Sequence, residues 1–175
     1  GQQLRGGQNI DIIGCEPLSC PSFTKGKYAY DHGDMARMTP LIKMHTLGSD
    51  FLPPANHSGG LRYHGMSYHL SHLYDLGLMR AKAYGQKDCF EAGVLFGKQE
   101  GIIPAPEGNH AVKGAIDAAL ECKEKGETKT ILFNLCGHGH FDMTAYDDYF
   151  SGKLEEDFYD EDSANKSLSQ LPDIA

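Results

Sequence analysis

Glu107 and Cys136 are the two side chains in this sequence whose types and settings best suit chemistry on a bound ligand. Glu107 follows Pro104-Ala105-Pro106 and opens an alanine-rich helical stretch, so prolines fix the backbone that delivers its carboxylate. A carboxylate there either brings charge to a ligand or merely complements the helix dipole, an effect of about 0.3–1 kcal/mol. Cys136 lies where the run Thr130–Leu135 meets Gly137, and open α/β sheets present groups to cofactors at such strand-to-glycine-loop junctions. Its thiol can serve as a nucleophile, a hydrogen-bond partner or a small core residue. No flanking sequence matches a cysteine hydrolase, which favours the hydrogen-bond partner over the nucleophile. Residues 100–142 together read as one wall of a cofactor pocket.

Two further groups invite chemistry. His138 and His140 in a Gly-His-Gly-His run, with Asp142 close behind, have metal-ligand spacing, and His64, His69 and His72 form a second cluster among nine histidines. A zinc hydrolase built on the GHGH histidines is the alternative they support, and it needs three ligands with one open position. A glycine loop fixes side-chain directions poorly and no HExxH-type signature is present, so the sequence favours no metal site. In Gly59-Gly60-Leu61-Arg62-Tyr63-His64-Gly65, the glycines permit turns whose carbonyls can face a monovalent cation, while Arg62 can clamp an anionic substrate group. An ordinary surface loop fits the same residues.

These residues need elements to position them. Ile10–Cys15 reads as a buried strand, Met66–Leu76 as a helix stopped at Gly77, and Leu78–Tyr84 as a strand. Asp88–Gln99 has helical spacing with Asp88 as N-cap, and a second helix runs from near Asn109 to Gly126. Thr130–Leu135 reads as the second clear buried strand and Thr144–Phe150 as a short helix. Residues 16–66, rich in Gly, Pro, Ser and His, show no regular period. The order of elements points to an α/β fold, a partial open twisted sheet with flanking helices. Residues 1–154 form this domain, and 155–175, opening on the acidic run EEDFYDED, read as a solvated tail.

Composition bounds the function. With 175 residues and 40% hydrophobic content the chain can build one core, and its net charge of −8 argues against nucleic acid or an anionic membrane as partner. No apolar run approaches the roughly 20 residues that span a bilayer. The N-terminal GQQLRGGQN is polar, carries no secretory signal and does not start with Met, which suggests an internal piece of a longer protein. Five scattered cysteines without a CxxC pair suggest reduced thiols and a cytoplasmic location, with Cys15, Cys89 and Cys122 as small core residues.

Taken together, IIGCEP (12–17), TPLIKMHTLGSDFLPP (39–54), GGLRYHGM (59–66), EGIIPAPE (100–107) and NLCGHGHFD (134–142) resemble the C-terminal part of the tryptophan synthase β chain. The likeness is closer to the second, TrpB-like type, because Arg62 stands where the standard β chain has an acidic residue after Gly-Leu. The resemblance implies the fold of type II pyridoxal-phosphate enzymes and a lyase that joins indole to a serine-type substrate. It also implies a homodimer when complete. By this likeness Glu107 lies beside the cofactor ring, Cys136 replaces the serine that hydrogen-bonds the pyridine nitrogen, and Gly137 belongs to the same cofactor loop. Arg62 is then a substrate-side residue, and a monovalent cation is a further candidate ligand.

One departure stands out. The family's Schiff-base lysine and its phosphate-binding glycine loop lie upstream of IIGCEP, and none of the twelve lysines here falls in the family's lysine motif. The expectation is therefore a C-terminal piece, inactive alone, whose N-terminal half is missing. The alternative is a non-catalytic split-gene subunit that completes a pocket with a partner chain.

Overall fold

The computed structural model describes residues 10–156 and 158–174, so the N-terminal GQQLRGGQN lies outside the described residues. The fold is mixed α/β, with helices flanking small sheets. Strand β1 (Ile13–Pro17) pairs in parallel with β4 (Arg80–Tyr84), in a register that sets Ile13 opposite Arg80 and Pro17 opposite Tyr84. The ladder extends at both ends, where Arg80 N donates to Ile12 O and Leu18 N to Tyr84 O. The expected strand at Ile10–Cys15 is thus present but shifted toward the C-terminus. The ladder admits Pro17 because β1 is an edge strand and Leu18, not residue 17, supplies the N–H to Tyr84 O.

Within 16–66, where the sequence shows no period, the structure has a hairpin. Strand β2 (Lys27–His32) pairs antiparallel with β3 (Leu41–Thr46). It escapes a hydrophobicity reading because its interior is polar. Asp31, 1% exposed, accepts from Thr46 Oγ1 at 2.7 Å and from His32 N at 2.8 Å. Satisfied in this way, a buried carboxylate can sit in a strand. His45 of β3 stacks on Tyr28 at 5.0 Å and meets the edge of Tyr74 at 5.0 Å, with neither ring nitrogen hydrogen-bonded. Its backbone N donates to Ser71 Oγ at 2.9 Å, tying β3 to helix α1 (Tyr68–Asp75).

Burial holds the His45 imidazole below its ordinary value of 6.5. The unfolded chain then binds the proton more readily than the folded one. Stability should therefore fall as pH drops through about 6.5, by at most about 1.4 kcal/mol per pH unit for this group. A His45→Phe variant, which keeps the ring contacts, should flatten that part of a urea-midpoint against pH curve. An unchanged slope would remove His45 from the account.

Helix α2 (Gln86–Glu100) starts earlier than expected, with Gly85 rather than Asp88 at its N-cap. Asp88 sits in the first turn, where it complements the dipole. The cap comes from far along the chain, since Glu156 accepts from Gln86 N at 2.7 Å and Lys87 N at 3.3 Å. Helix α3 (Pro106–Lys125) begins with proline at N1, and Gly126, at φ +64°, closes it. Helices α2 and α3 pack side by side through Gly93, which lies directly against the Asn109 amide.

Two expectations need correction. Thr130–Leu135 forms no strand among the described residues; Leu132 is 95% exposed and Ile131 also lies open. A run apolar on both faces becomes a buried strand only between ladder neighbours, and none pairs with it here. Phe133 alone finds a partner of note, the Phe96 ring of α2 at 5.6 Å. Nor is the acidic C-terminal segment simply solvated. Helix α4 (Met143–Phe150) leads to Leu154, buried with Phe90 and Tyr146. Beyond it, helix α5 (Glu161–Leu168) buries Ala164 against Cys20, Leu47 and Phe51. Glu161 and Asp162 are exposed in its first turn, and at its N-cap Asp160 accepts from Ser163 N. Cys89 is buried as expected, whereas Cys15 and Cys122 are only partly so.

Candidate functional site

Glu107 and Cys136, 29 positions apart in sequence, are carried on neighbouring segments. Ala105, in an extended conformation, is the N-cap of α3, and Pro106 fixes φ for the first turn, which places Glu107 at the positive end of a twenty-residue helix. Its Oε1 accepts from Gly60 N at 2.7 Å. Gly60 belongs to a single 3-10 turn, Gly59–Leu61, and a Cβ there would come within 3.0 Å of the same oxygen. An added methyl would therefore press on the Glu107 side chain. The glycine loop around Arg62 and the acidic turn thus meet through Glu107.

The loop bearing Cys136 runs antiparallel beside residues 103–105. Gly139 N donates to Ile103 O at 2.8 Å, Ala105 N donates to Gly137 O at 3.3 Å, and Pro104 bridges His138. Gly137 has φ +79°, and a Cβ on it would lie 3.2 Å from the Ala105 Cβ. Gly139 has less room still, with Pro104 O only 2.5 Å from its hypothetical Cβ. These contacts set the Cys136 loop alongside the turn that leads to Glu107, and leave the Cys136 thiol exposed.

His110, one turn after Glu107, was not foreseen. It is 2% exposed, and its Nδ1 lies 3.0 Å from the Pro106 carbonyl. A carbonyl only accepts, so Nδ1 carries the proton and Nε2 keeps a lone pair, which has no partner. Burial pushes this imidazole below its ordinary range, against the opposing pull of the Pro106 carbonyl and the Glu107 charge. A neutral ring with an unused acceptor thus stands on the helix that carries the site carboxylate. A histidine among Ala, Val and Asn gave no spacing signal for this.

Arg62 donates from Nη2 to the Pro53 carbonyl at 2.9 Å, while its Nε is buried without a partner. The histidine clusters do not converge. His64 Nε2 lies 2.8 Å from His32 O, His72 faces the Tyr28 hydroxyl and His69 rests on Tyr68. His138 and His140 rings are 4.8 Å apart, but His138 Nδ1 accepts from His140 N. Among the described residues, no group of three or more His, Cys, Asp and Glu has the geometry to hold a metal ion. An open groove of about 610 Å³ between α2 and α4 is lined by Glu91, Val94, Leu95, Lys98, Tyr149 and Phe150 and includes none of these site residues. No helix among the described residues is long and apolar enough to cross a membrane.

Known proteins share this arrangement of segments in sequence. The chain is 60% identical over 153 residues to tryptophan synthase beta chain 2 of Methanosarcina mazei, covering 87% of this chain and 35% of that protein. The chain matches the C-terminal part of tryptophan synthase β chains. Tryptophan synthase beta chain 2 of Aquifex aeolicus is 55% identical over 149 residues, covering 85% of this chain and 34% of the relative. The tryptophan synthase beta chain of Pyrococcus horikoshii is 50% identical over 169 residues, covering 97% and 36%. No family model matches the chain. The chain spans about a third of the length of the tryptophan synthase β relatives it matches.

Proposed function

We propose that this chain is the C-terminal portion of a tryptophan synthase β-type lyase, which forms L-tryptophan from indole and L-serine or a serine derivative. It would contribute one wall of a pyridoxal 5'-phosphate site. The observation that carries the reading is the joining of the Glu107 turn, the Gly59–Leu61 turn and the Cys136 loop by the Gly60–Glu107 and Ala105–Gly137 hydrogen bonds. Their chemistry suits the ring of the cofactor: an exposed thiol, a half-buried carboxylate and, on the same helix, an orphaned acceptor on His110. No residue described here is assigned to its phosphate.

When bound, pyridoxal phosphate supplies the electron sink for charge left at the substrate Cα after proton loss. Cys136 would hold the pyridine nitrogen through a neutral, weak S–H partner, and Gly137 would let the backbone pass close to a flat ring. Glu107, fixed by Gly60, would sit beside that ring with its second oxygen free. Arg62, with its Nε unused, would face an anionic group on the donor, so phosphoserine is a candidate beside serine. A monovalent cation bound by loop carbonyls, a cytoplasmic location and a homodimer when complete belong to the same reading.

The chain by itself would be inactive, because no lysine here occupies the Schiff-base position of the motif. Ile131 and Leu132, apolar and exposed, support a further segment covering them, whether upstream in one polypeptide or as a separate partner chain. The test is reconstitution with the unmatched N-terminal part of the Methanosarcina mazei relative. Mixed with pyridoxal phosphate, indole and serine, the two pieces should give Schiff-base absorbance and tryptophan, and either piece alone should give no tryptophan. Tryptophan from this chain alone, or a stable complex without turnover, would refute the reading.

A further inference from the structure

We propose that Tyr146 is a positioning residue that holds the Glu107 turn and the Cys136 loop in one register; this rests on the site reading above. Tyr146 belongs to α4, outside every segment that carries a site residue, yet its side chain reaches both arms. Its hydroxyl donates to the Pro104 carbonyl at 2.7 Å and accepts from Asn109 Nδ2 at 3.1 Å. The phenol has one proton, and the shorter contact to Pro104 takes it. Pro104 is the residue that bridges His138, and Asn109 is fully buried in the first turns of α3, with its backbone N on Ala105 O at 3.1 Å. One hydroxyl therefore ties the approach to Glu107 to the helix that presents it.

The other arm is held by shape. A Cβ at Gly139 would come within 3.1 Å of Tyr146 Cε2, so the loop lies directly on the phenol ring. The ring itself is 4% exposed and packs edge-on against Phe90 at 5.0 Å, which leaves it no freedom to follow the loop if the loop shifts. Burial also pushes the phenol above its ordinary range, so the donor to Pro104 persists across physiological pH. An ordinary core tyrosine needs only one satisfied partner. This one has both hydrogen-bond partners on the segment that presents Glu107, and its ring lies against Gly139 of the Cys136 loop.

The test uses the full chain and amide NMR. Gly60 N–H donates to Glu107, so the Gly60 amide shift reports both the ionisation and the placement of that carboxylate. In Tyr146→Phe, the Gly60 shift over the carboxylate pH range should lose about half its amplitude or more. Amides of Ala105 and Gly139 should exchange about tenfold faster, while those of β1 and β4 stay unchanged. Asn109→Ser keeps the Tyr146–Pro104 bond, should give the same pattern at smaller amplitude, and serves if Tyr146→Phe does not fold. A Gly60 titration that matches the wild type in either folded variant would overturn the proposal. Equal acceleration in β1 and β4 would do so too, because it would mark Tyr146 as a general core residue. No cofactor or partner chain enters this measurement, so it succeeds or fails independently of the reconstitution.

Discussion

In the reconstituted protein, Cys136→Asp should lower tryptophan formation by about a hundredfold or more, equivalent to about 2.7 kcal/mol, whereas Cys136→Ser should retain or raise it. The argument is electrostatic. A thiol or hydroxyl under a pyridine nitrogen is neutral and leaves that nitrogen largely unprotonated. A carboxylate at the same place would hold a proton on it, making the ring a stronger electron sink and favouring transamination over β-replacement. Serine donates a better hydrogen bond than S–H while keeping the neutral partner. Cys136 is exposed in this chain, so the Asp and Ser side chains displace nothing in its own core. Steady-state rates with indole and serine, together with the keto-acid yield, provide the check. Equal rates for the Asp and Ser variants would remove Cys136 from the ring nitrogen.

Gly93→Ala should destabilise the chain by about 3 kcal/mol, opposite in sign to the usual effect of alanine in a helix interior. In an exposed helix the replacement would gain about 1 kcal/mol. Here the added methyl would overlap the Asn109 amide, which is fully buried and committed to Tyr146. Asn109 is too short to swing aside, and displacing it would orphan a buried amide and loosen the hydroxyl that holds Pro104. A fall in the urea midpoint at unchanged m value is the expected result. A stabilised Gly93→Ala protein would mean that α2 and α3 are farther apart than described. The same substitution should loosen the Glu107 turn, since α2 presses on the network that positions it.

Much of the framework was legible in the residues. Gly126 marks the C-terminal end of α3, whose start is at Pro106 and not near Asn109, Gly77 stops the helix before β4, and α2 and α4 lie close to where the residues place them. These are local effects of fixed φ, left-handed φ and a 3.6-residue period, and local effects are what a sequence states directly. The β2–β3 hairpin was hidden because Asp31, His45 and Thr46 are buried polar residues, whose pairing partners lie far along the chain. The cap of α2 was misplaced for the same reason, since Glu156 supplies it from 70 residues away.

By itself, then, the sequence determined helices α1 to α4, the strands β1 and β4, the likeness to tryptophan synthase β chains and the residue types available to a site. Only the tertiary structure decided that Gly60 clasps Glu107, that the Cys136 loop lies along residues 103–105, that the acidic tail folds back over Phe51, and that Tyr146 stands between both arms. It also left Thr130–Leu135 without a ladder. The physical reason is common to all of these. Hydrogen bonds and close contacts between segments distant in sequence depend on which surfaces meet, and that information is not carried by any one segment's own composition or period.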